Sequence, residues 1–543
     1  MTTVASRSWM LALALSAAAV MGDVQLTSAQ TANGANGLRT SLDDDAVNAG
    51  REVPLTDDNL NGIDDADEQQ PDLRAVFPDP VETSSTDEED DDDGRNRRAG
   101  RTSTRAQAIN SFEAESDNDS GVGNTRAIRA QQVGTINAAG EPTPLSNSPA
   151  FPIEGSRQDP EDDPFAPLGL RLGSFDVFPS IEQDIGYTSN ADFTANGEGA
   201  AFSQTRGQVR FQSNWARHEL RGQVGGAFQK FLGSDADDLP TADAEAELRI
   251  DINRDLVARA GFFYALTTES PTSENLGLTP PFNLEGRPFI NDIEGYGELA
   301  YNFGRWSTSF RGSVTRTTFG DIEITGNPDF PQDDRNNFLY LGTLRASYQV
   351  SPAFRPYIQG SAGARSHDTK VDRNGNERDS SIYEVQAGFD FNLGEKLNGT
   401  IGAGFRAEDF DDEALSTLSS PLIAATLNWS PERLTTISTT LSSTLAGSIL
   451  EDENGSVVHA ASIGYAREVR PNLGVNGRLF GSFRDYDASD REDIFLQAEL
   501  GAEWRLNRVL SLTGRVGYER ALSTEESADY DAFTVRAGVR LIR

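Results

Sequence analysis

The sequence of 543 residues contains no cysteine, which excludes disulfides, thiolate nucleophiles and Cys-type zinc sites together. Lysine is almost missing as well: Lys230, Lys370 and Lys396 are the only ones, and arginine supplies every other basic residue. There are three histidines, His218, His367 and His459. No H-E-x-x-H or G-x-S-x-G occurs, and no carboxylate pair stands out from the acidic background. Ser462 follows His459 by three positions and so projects to the opposite side of a strand. Hydrolysis needs a nucleophile with a base beside it, so these absences argue that the chain is not an enzyme. Past the N-terminus no apolar run reaches the roughly 18 residues of a membrane-spanning helix. Positive charge is also in deficit. With 85 acidic residues against 47 basic ones the net charge is -38, and such a chain would be repelled by a phosphate backbone, which excludes nucleic acid as a partner.

What is present begins with MTTVASRSWMLALALSAAAVMGDVQLTSAQ, where Arg7 precedes an apolar stretch from Trp9 to Met21 and small residues follow near Ala29. This predicts an export leader over 1–29, because the apolar stretch is too short to serve as a spanning anchor. Residues 30–165 change character: SLDDDAVNAG, TDDNLNGIDDADEQQPDL and SSTDEEDDDDGRNRRAGR alternate acidic runs with Gly, Ser, Asn and Pro. Apolar residues there follow neither a helical nor a strand period. Such a segment cannot bury enough apolar surface to offset its ordering entropy, and it is expected to be a disordered acidic arm in the periplasm. Within it DDNLNGIDDADE, residues 57–68, matches the oxygen spacing of a calcium loop, with Asp57, Asn59, Asn61, Asp65 and Glu68 as candidate ligands and Gly62 at the turn. Against this stands the abundance of Asp and Asn around it, in which such a match arises by chance. No other cofactor is implied.

From residue 166 onward the pattern changes again. In ADAEAELRIDIN the positions Ala242, Ala244, Ala246, Leu248, Ile250 and Ile252 alternate with Asp243, Glu245, Glu247, Arg249 and Asp251. A period of two means a strand with one greasy and one charged face. After the NRD turn, Leu256, Ala258, Ala260, Phe262, Tyr264 and Leu266 repeat it. About 18 such segments run to the end of the chain, among them Phe533/Val535/Val539/Leu541. LTTISTTLSS, 434–443, is the weakest, because its Leu and Ile hold no single phase. Short turns such as GR at 304 and NRD at 253 alternate with long polar loops such as 267–287, as tight periplasmic turns and extended external loops do in an outer-membrane barrel.

The bilayer offers no water to unpaired backbone groups, so strands cross it only as a closed ring. With this many strands the interior is too wide for apolar side chains to fill. Apolar faces therefore point to lipid and polar faces to the lumen. The sequence thus predicts an all-β, antiparallel, up-and-down transmembrane barrel of about 18 strands in a Gram-negative outer membrane. Tyr187, Trp215, Tyr264, Trp306, Tyr348, Trp429, Tyr465, Trp504 and Tyr518 would form its aromatic girdles.

The segment PFAPLGLRLGSFDVFPSIEQDIGYTSNAD, residues 164–192, the W-S-P-E-R-L turn after Trp429 and the repeated hairpins resemble the outer-membrane porins of the "beta-barrel porin 2" group of alphaproteobacteria. The resemblance implies fold and location and carries no functional residue. Some relatives in that group are associated with exopolysaccharide export. The chain ends in Arg543, where many outer-membrane barrels end in an aromatic read by the insertion machinery.

The expected pore-lining residues follow from parity: Arg206, Arg210, Arg221, Asp243, Glu245, Glu247, Arg249, Asp251, Arg259, Glu294, Glu298, Arg311 and Arg345. They mix both signs in facing rows, so they either build a transverse field in an open channel or pair with one another across strands. The segment 267–287 is long enough to fold into the lumen, and equally an ordinary surface loop. Three functions are therefore weighed: passive passage of polar solutes, a part in polysaccharide export, and a closed barrel that anchors an arm binding envelope components. Outer-membrane lipid, lipopolysaccharide and the barrel insertion machinery are the expected partners, and the oligomeric state is left open.

Overall fold

A computed structural model of the chain describes residues 164–269, 286–322, 330–394, 396–448, 453–525 and 528–543. The expected leader, nearly all of the acidic arm and the calcium-type loop lie outside them. A short strand, β1 (Leu170–Leu172), leads into β2 (Phe175–Thr188), β3 (Ala200–Ser213), β4 (Glu219–Leu232), β5 (Leu239–Asp251), β6 (Leu256–Thr268) and β7 (Phe289–Phe303). There follow β8 (Trp306–Phe319), β9 (Asn337–Tyr348), β10 (Phe354–His367), β11 (Ser380–Asn392), β12 (Leu397–Phe410) and β13 (Leu418–Trp429). The chain ends with β14 (Thr435–Gly447), β15 (Gly455–Arg470), β16 (Leu473–Tyr486), β17 (Glu492–Arg505), β18 (Leu510–Ser523) and β19 (Tyr530–Ile542).

From β2 onward each strand pairs antiparallel with the next, and β19 returns to β2 from Thr534↔Thr188 to Ile542↔Ser180. The result is a closed ring of 18 strands, with β1 folded back on the start of β2 as an extra strand. Closure satisfies the edges that a bilayer would otherwise leave without partners. Strands of 12 to 16 residues exceed the roughly ten needed to cross.

The faces divide as the alternation requires. On β2, Ile181 and Ile185 are 51% and 68% exposed while Glu182 and Asp184 between them are 4% and 0% exposed. The burial is inverted relative to a water-soluble sandwich: apolar side chains cover the outside and charged ones the inside. Among the described residues the tryptophans, Trp215, Trp306, Trp429 and Trp504, all lie at or next to the short-turn ends of their strands. Trp306 packs on Tyr348 with ring centroids 4.9 Å apart. This is an amphipathic belt at one membrane interface, where an apolar ring body and a polar N–H are both accommodated. At the same end Gly304 takes φ +64° in the two-residue turn Gly304–Arg305, a conformation that an L side chain would strain.

The weak segment is a strand. Leu434, which breaks the phase, sits outside it in the preceding turn with φ +65°, and Ile437, Leu441 and Leu445 then keep one parity along β14. Several segments that look like loops by composition are strand: β3 begins at Ala200 and β12 runs to Phe410. The later long loops are therefore shorter than their polar composition indicates, because an outer-membrane strand continues past the bilayer into water, where its outward residues are polar.

Candidate functional site

The inner wall of the ring is the candidate site, and strand parity decides which side chains reach it. All the lining residues expected from sequence face inward, and the fold brings most of them into ion pairs. Arg221 meets Glu247 at 3.1 Å, Arg259 meets Glu298 at 3.4 Å, Arg311 meets Glu294 at 3.2 Å and Arg249 meets Asp251 at 3.0 Å. Arg206 lies 3.7 Å from Glu182, and Arg345 lies 2.6 Å from Asp390, which also accepts a hydrogen bond from Thr400. Glu245 faces the same wall, and Arg210 and Asp243 lie on it outside these pairs. The mixed signs thus serve pairing along the wall to a large extent, across strands in every one of these pairs but Arg249–Asp251, which lies within β5.

Two tyrosines that the sequence reading missed lie flat on this wall. Tyr296 donates its hydroxyl to Glu247 at 2.6 Å, and the Arg311 guanidinium stacks 3.7 Å from its ring centroid. A Cβ on Gly261 would stand 2.0 Å from the Tyr296 ring. Tyr357 repeats the arrangement: Arg345 stacks 3.5 Å from its ring centroid, and Cβ atoms on Gly388 and Gly402 would stand 2.7 and 2.2 Å from it. Each ring needs a glycine floor and gains a cation on its other face. The inward glycines of β6, β11 and β12 are the signal that could have pointed to these rings.

A second network spans the closure of the barrel. Arg515 on β18 pairs with Glu182 on β2 at 2.6 Å and with Asp184 at 3.6 Å. Arg536 on β19 bonds Glu499 at 2.7 Å and Gln204 at 2.9 Å, and Thr513 donates to Glu182 at 2.9 Å. Apart from Arg536 and Glu499, these partners are more than 300 residues apart in sequence, so no local pattern announces them. All are buried, where removing one partner strands the other's charge.

At the long-loop end the connections brace one another. Arg335 forms a buried, two-pronged pair with Glu269 at 2.7 and 2.8 Å and stacks 3.8 Å from the Phe319 ring centroid. Arg373 holds Asp334 through two guanidinium bonds of 2.6 Å. Arg378 bonds Asp372 at 2.8 Å and reaches the Glu453 carbonyl, Asn454 links Ser416 to Asp487, and Arg287 donates to the Asp192 carbonyl at 3.1 Å. Glu269 and Arg287 flank the segment proposed to narrow the lumen; its residues 270–285 lie outside the described ones.

The histidines do not converge. Asp251 N–H donates to His218 at 3.3 Å, and His367 is the last residue of β10, 3.3 Å from Asp379, where the composition indicated a loop. His459 faces outward and meets Ser443, 2.8 Å away across the β14–β15 ladder, while Ser462 faces the lumen. The described residues place no carboxylate beside the His459 ring. Nor, among them, do three His, Cys, Asp or Glu gather as a metal site. The calcium ligand set at Asp57, Asn59, Asn61, Asp65 and Glu68 lies outside the described residues.

A ring of 18 antiparallel strands with an apolar exterior and an ionic interior defines an outer-membrane, porin-like barrel. The family model "Putative beta-barrel porin 2" matches residues 163–543, and the chain belongs to that family. No curated protein matches the sequence. Solved structures similar to it include the copper transporter OprC, at 9% identity and TM-score 0.38 over 69% of this chain and 81% of that one. A BenF-like porin from Pseudomonas fluorescens Pf-5 is similar at 11% identity and TM-score 0.36 over 68% and 100%. Pseudomonas aeruginosa OccK1 (OpdK) is similar at 10% identity and TM-score 0.36 over 68% and 99%.

Proposed function

We propose that the protein is a channel for passive or weakly selective passage of polar solutes across the outer membrane, and not a catalyst. The observation that carries this reading is the inner wall: a ring of 18 strands whose inward face is ionic over most of its circumference. A ring of this size leaves a passage wider than its own side chains fill. The paired charges hold the wall rigid, and the field between rows of opposite sign orients dipolar solutes without binding them tightly. Polysaccharide export and a closed anchoring barrel remain the competing uses of the same fold.

Full-length protein in planar bilayers and sugar-loaded liposomes tests this. Stepwise conductance and size-dependent sugar efflux support the channel, whereas sealed bilayers at all voltages would leave the anchor. Deleting residues 270–285 is expected to raise the conductance if the third external loop narrows the lumen; an unchanged conductance removes that constriction.

A further inference from the structure

The ring is not uniformly sealed. Between β13 and β14 the backbone register comprises five pairs, from Ala425↔Leu441 to Trp429↔Ile437. β19 and β2, the next shortest pairing in the ring, share nine. The missing pairing lies in the external half, where residues 418–424 face 442–447. Ile423 there donates its N–H to Ser443 Oγ at 3.1 Å, a side chain standing in for a ladder carbonyl. Two positions along the same strand edge Pro421 has no N–H to give. Ser443 is in turn held 2.8 Å from His459 Nδ1 on the lipid face. Leu418 reaches over the end of the seam, so that a Cβ on Gly455 would stand 2.9 Å from it.

A second observation concerns the wall behind this seam. The inward positions of β13, of β14 and of β15 as far as Glu468 carry Ser, Thr, Ala, Gly, Asn, Val and Leu, with Glu468, at the short-turn end, the only charge. Everywhere else the wall bears arginine and carboxylate. A weakly zipped seam therefore coincides with the one neutral sector of the lumen, and that sector offers hydroxyls and small alkyl surfaces, which tolerate an acyl chain that charged walls would exclude.

We propose that the external half of the β13–β14 seam is a lateral opening through which an amphipathic molecule, an alkyl chain carrying a hydrogen-bonding head, moves between the lumen and the outer leaflet. Opening it breaks the Ile423–Ser443 bond and the Leu418 cover but few ladder bonds. Any other seam of the ring would have to break nine or more ladder pairs, and in lipid each unpaired backbone group is costly. The proposal does not depend on whether the lumen conducts polar solutes.

The test uses full-length protein in vesicles of phosphatidylethanolamine and phosphatidylglycerol with radiolabelled acyl chains. Benzoylphenylalanine is installed at Thr444, which faces the lumen, and the pair Ile423→Cys with Ser443→Cys supplies a lock in a chain free of other cysteines. Illumination is expected to attach lipid at position 444 in the reduced protein, with the yield falling about tenfold once the lock is closed by oxidation or a short bismaleimide. The same photoreactive residue at Ser313, on the fully paired β8, should capture none. No lipid at 444, or a yield indifferent to the lock, overturns the proposal. Independently of any cross-link, the amides of Ser443, Leu445 and Gly447, which lie on the β13 side of β14, should exchange about tenfold faster than those of Ile437, Thr439 and Leu441 on the same side; equal protection would also overturn it.

Discussion

Gly261 shows how one absent side chain positions a charged wall. Tyr296 occupies the space a Cβ would need, and from there it caps Glu247 and supports Arg311. Gly261→Ala should therefore destabilise the folded barrel by about 1–3 kcal/mol, the usual scale for overpacking, and loosen the Glu247–Arg221 pair. The drop in the temperature at which the compact band disappears on a gel measures it, and Gly297→Ala, where a Cβ meets open space, is the control. Arg515 makes the complementary case. Arg515→Leu removes the guanidinium shared by Glu182 and Asp184, buried neighbours on one face of β2, and leaves Arg206 at 3.7 Å from Glu182, a loss of up to about 3–5 kcal/mol by analogy with other broken buried pairs. Urea unfolding from lipid vesicles checks this, with Arg515→Lys expected to recover part of the loss.

Among elements, the loops form a chain of braces that is not visible in their composition. Burial pushes the Asp334 carboxyl up, but the hydrogen bonds and charge of Arg373 outweigh it and hold the group below the ordinary aspartate range. A carboxyl whose folded value is depressed stabilises above its unfolded value of about 3.9 and loses that contribution only as the pH falls through the lower folded value. The brace between the fourth and fifth external loops should thus stay closed from pH 8 to pH 5. Protease nicking of 368–379 should be flat across that range and rise only near or below pH 4, whereas Asp334→Asn should be nicked readily at pH 7. The strands were more legible than the loops, because alternation over ten residues is a strong signal. Strand ends were not, since beyond the bilayer both faces meet water and the alternation stops.

For the molecule as a whole, the inverted distribution of apolar surface has a direct consequence in solution. The mature chain is expected to require detergent or lipid to remain monomeric, because its outward face exposes Ile185, Leu299, Phe310, Ile358 and many similar side chains. Size-exclusion chromatography with light scattering checks this; a compact monomer in detergent-free buffer would contradict a lipid-facing exterior. Closure adds a second whole-molecule property. β2 and β19 lie at opposite ends of the barrel sequence, so the ring cannot be completed until the last strand is made, and variants in the Glu182–Arg515 network should slow the final step of assembly more than the pairing of neighbouring hairpins.

Alternation alone determined that this chain forms many amphipathic strands, which face of each meets lipid, and that Arg206 through Arg345 point inward, because parity is a local property and the bilayer leaves a single way to satisfy it. Which arginine meets which carboxylate, the tyrosines lying on their glycine floors, the bracing of the loops and the weak zipping between β13 and β14 were decided only by the closed ring. Register and closure bring together residues hundreds of positions apart, and no period in the sequence records that distance.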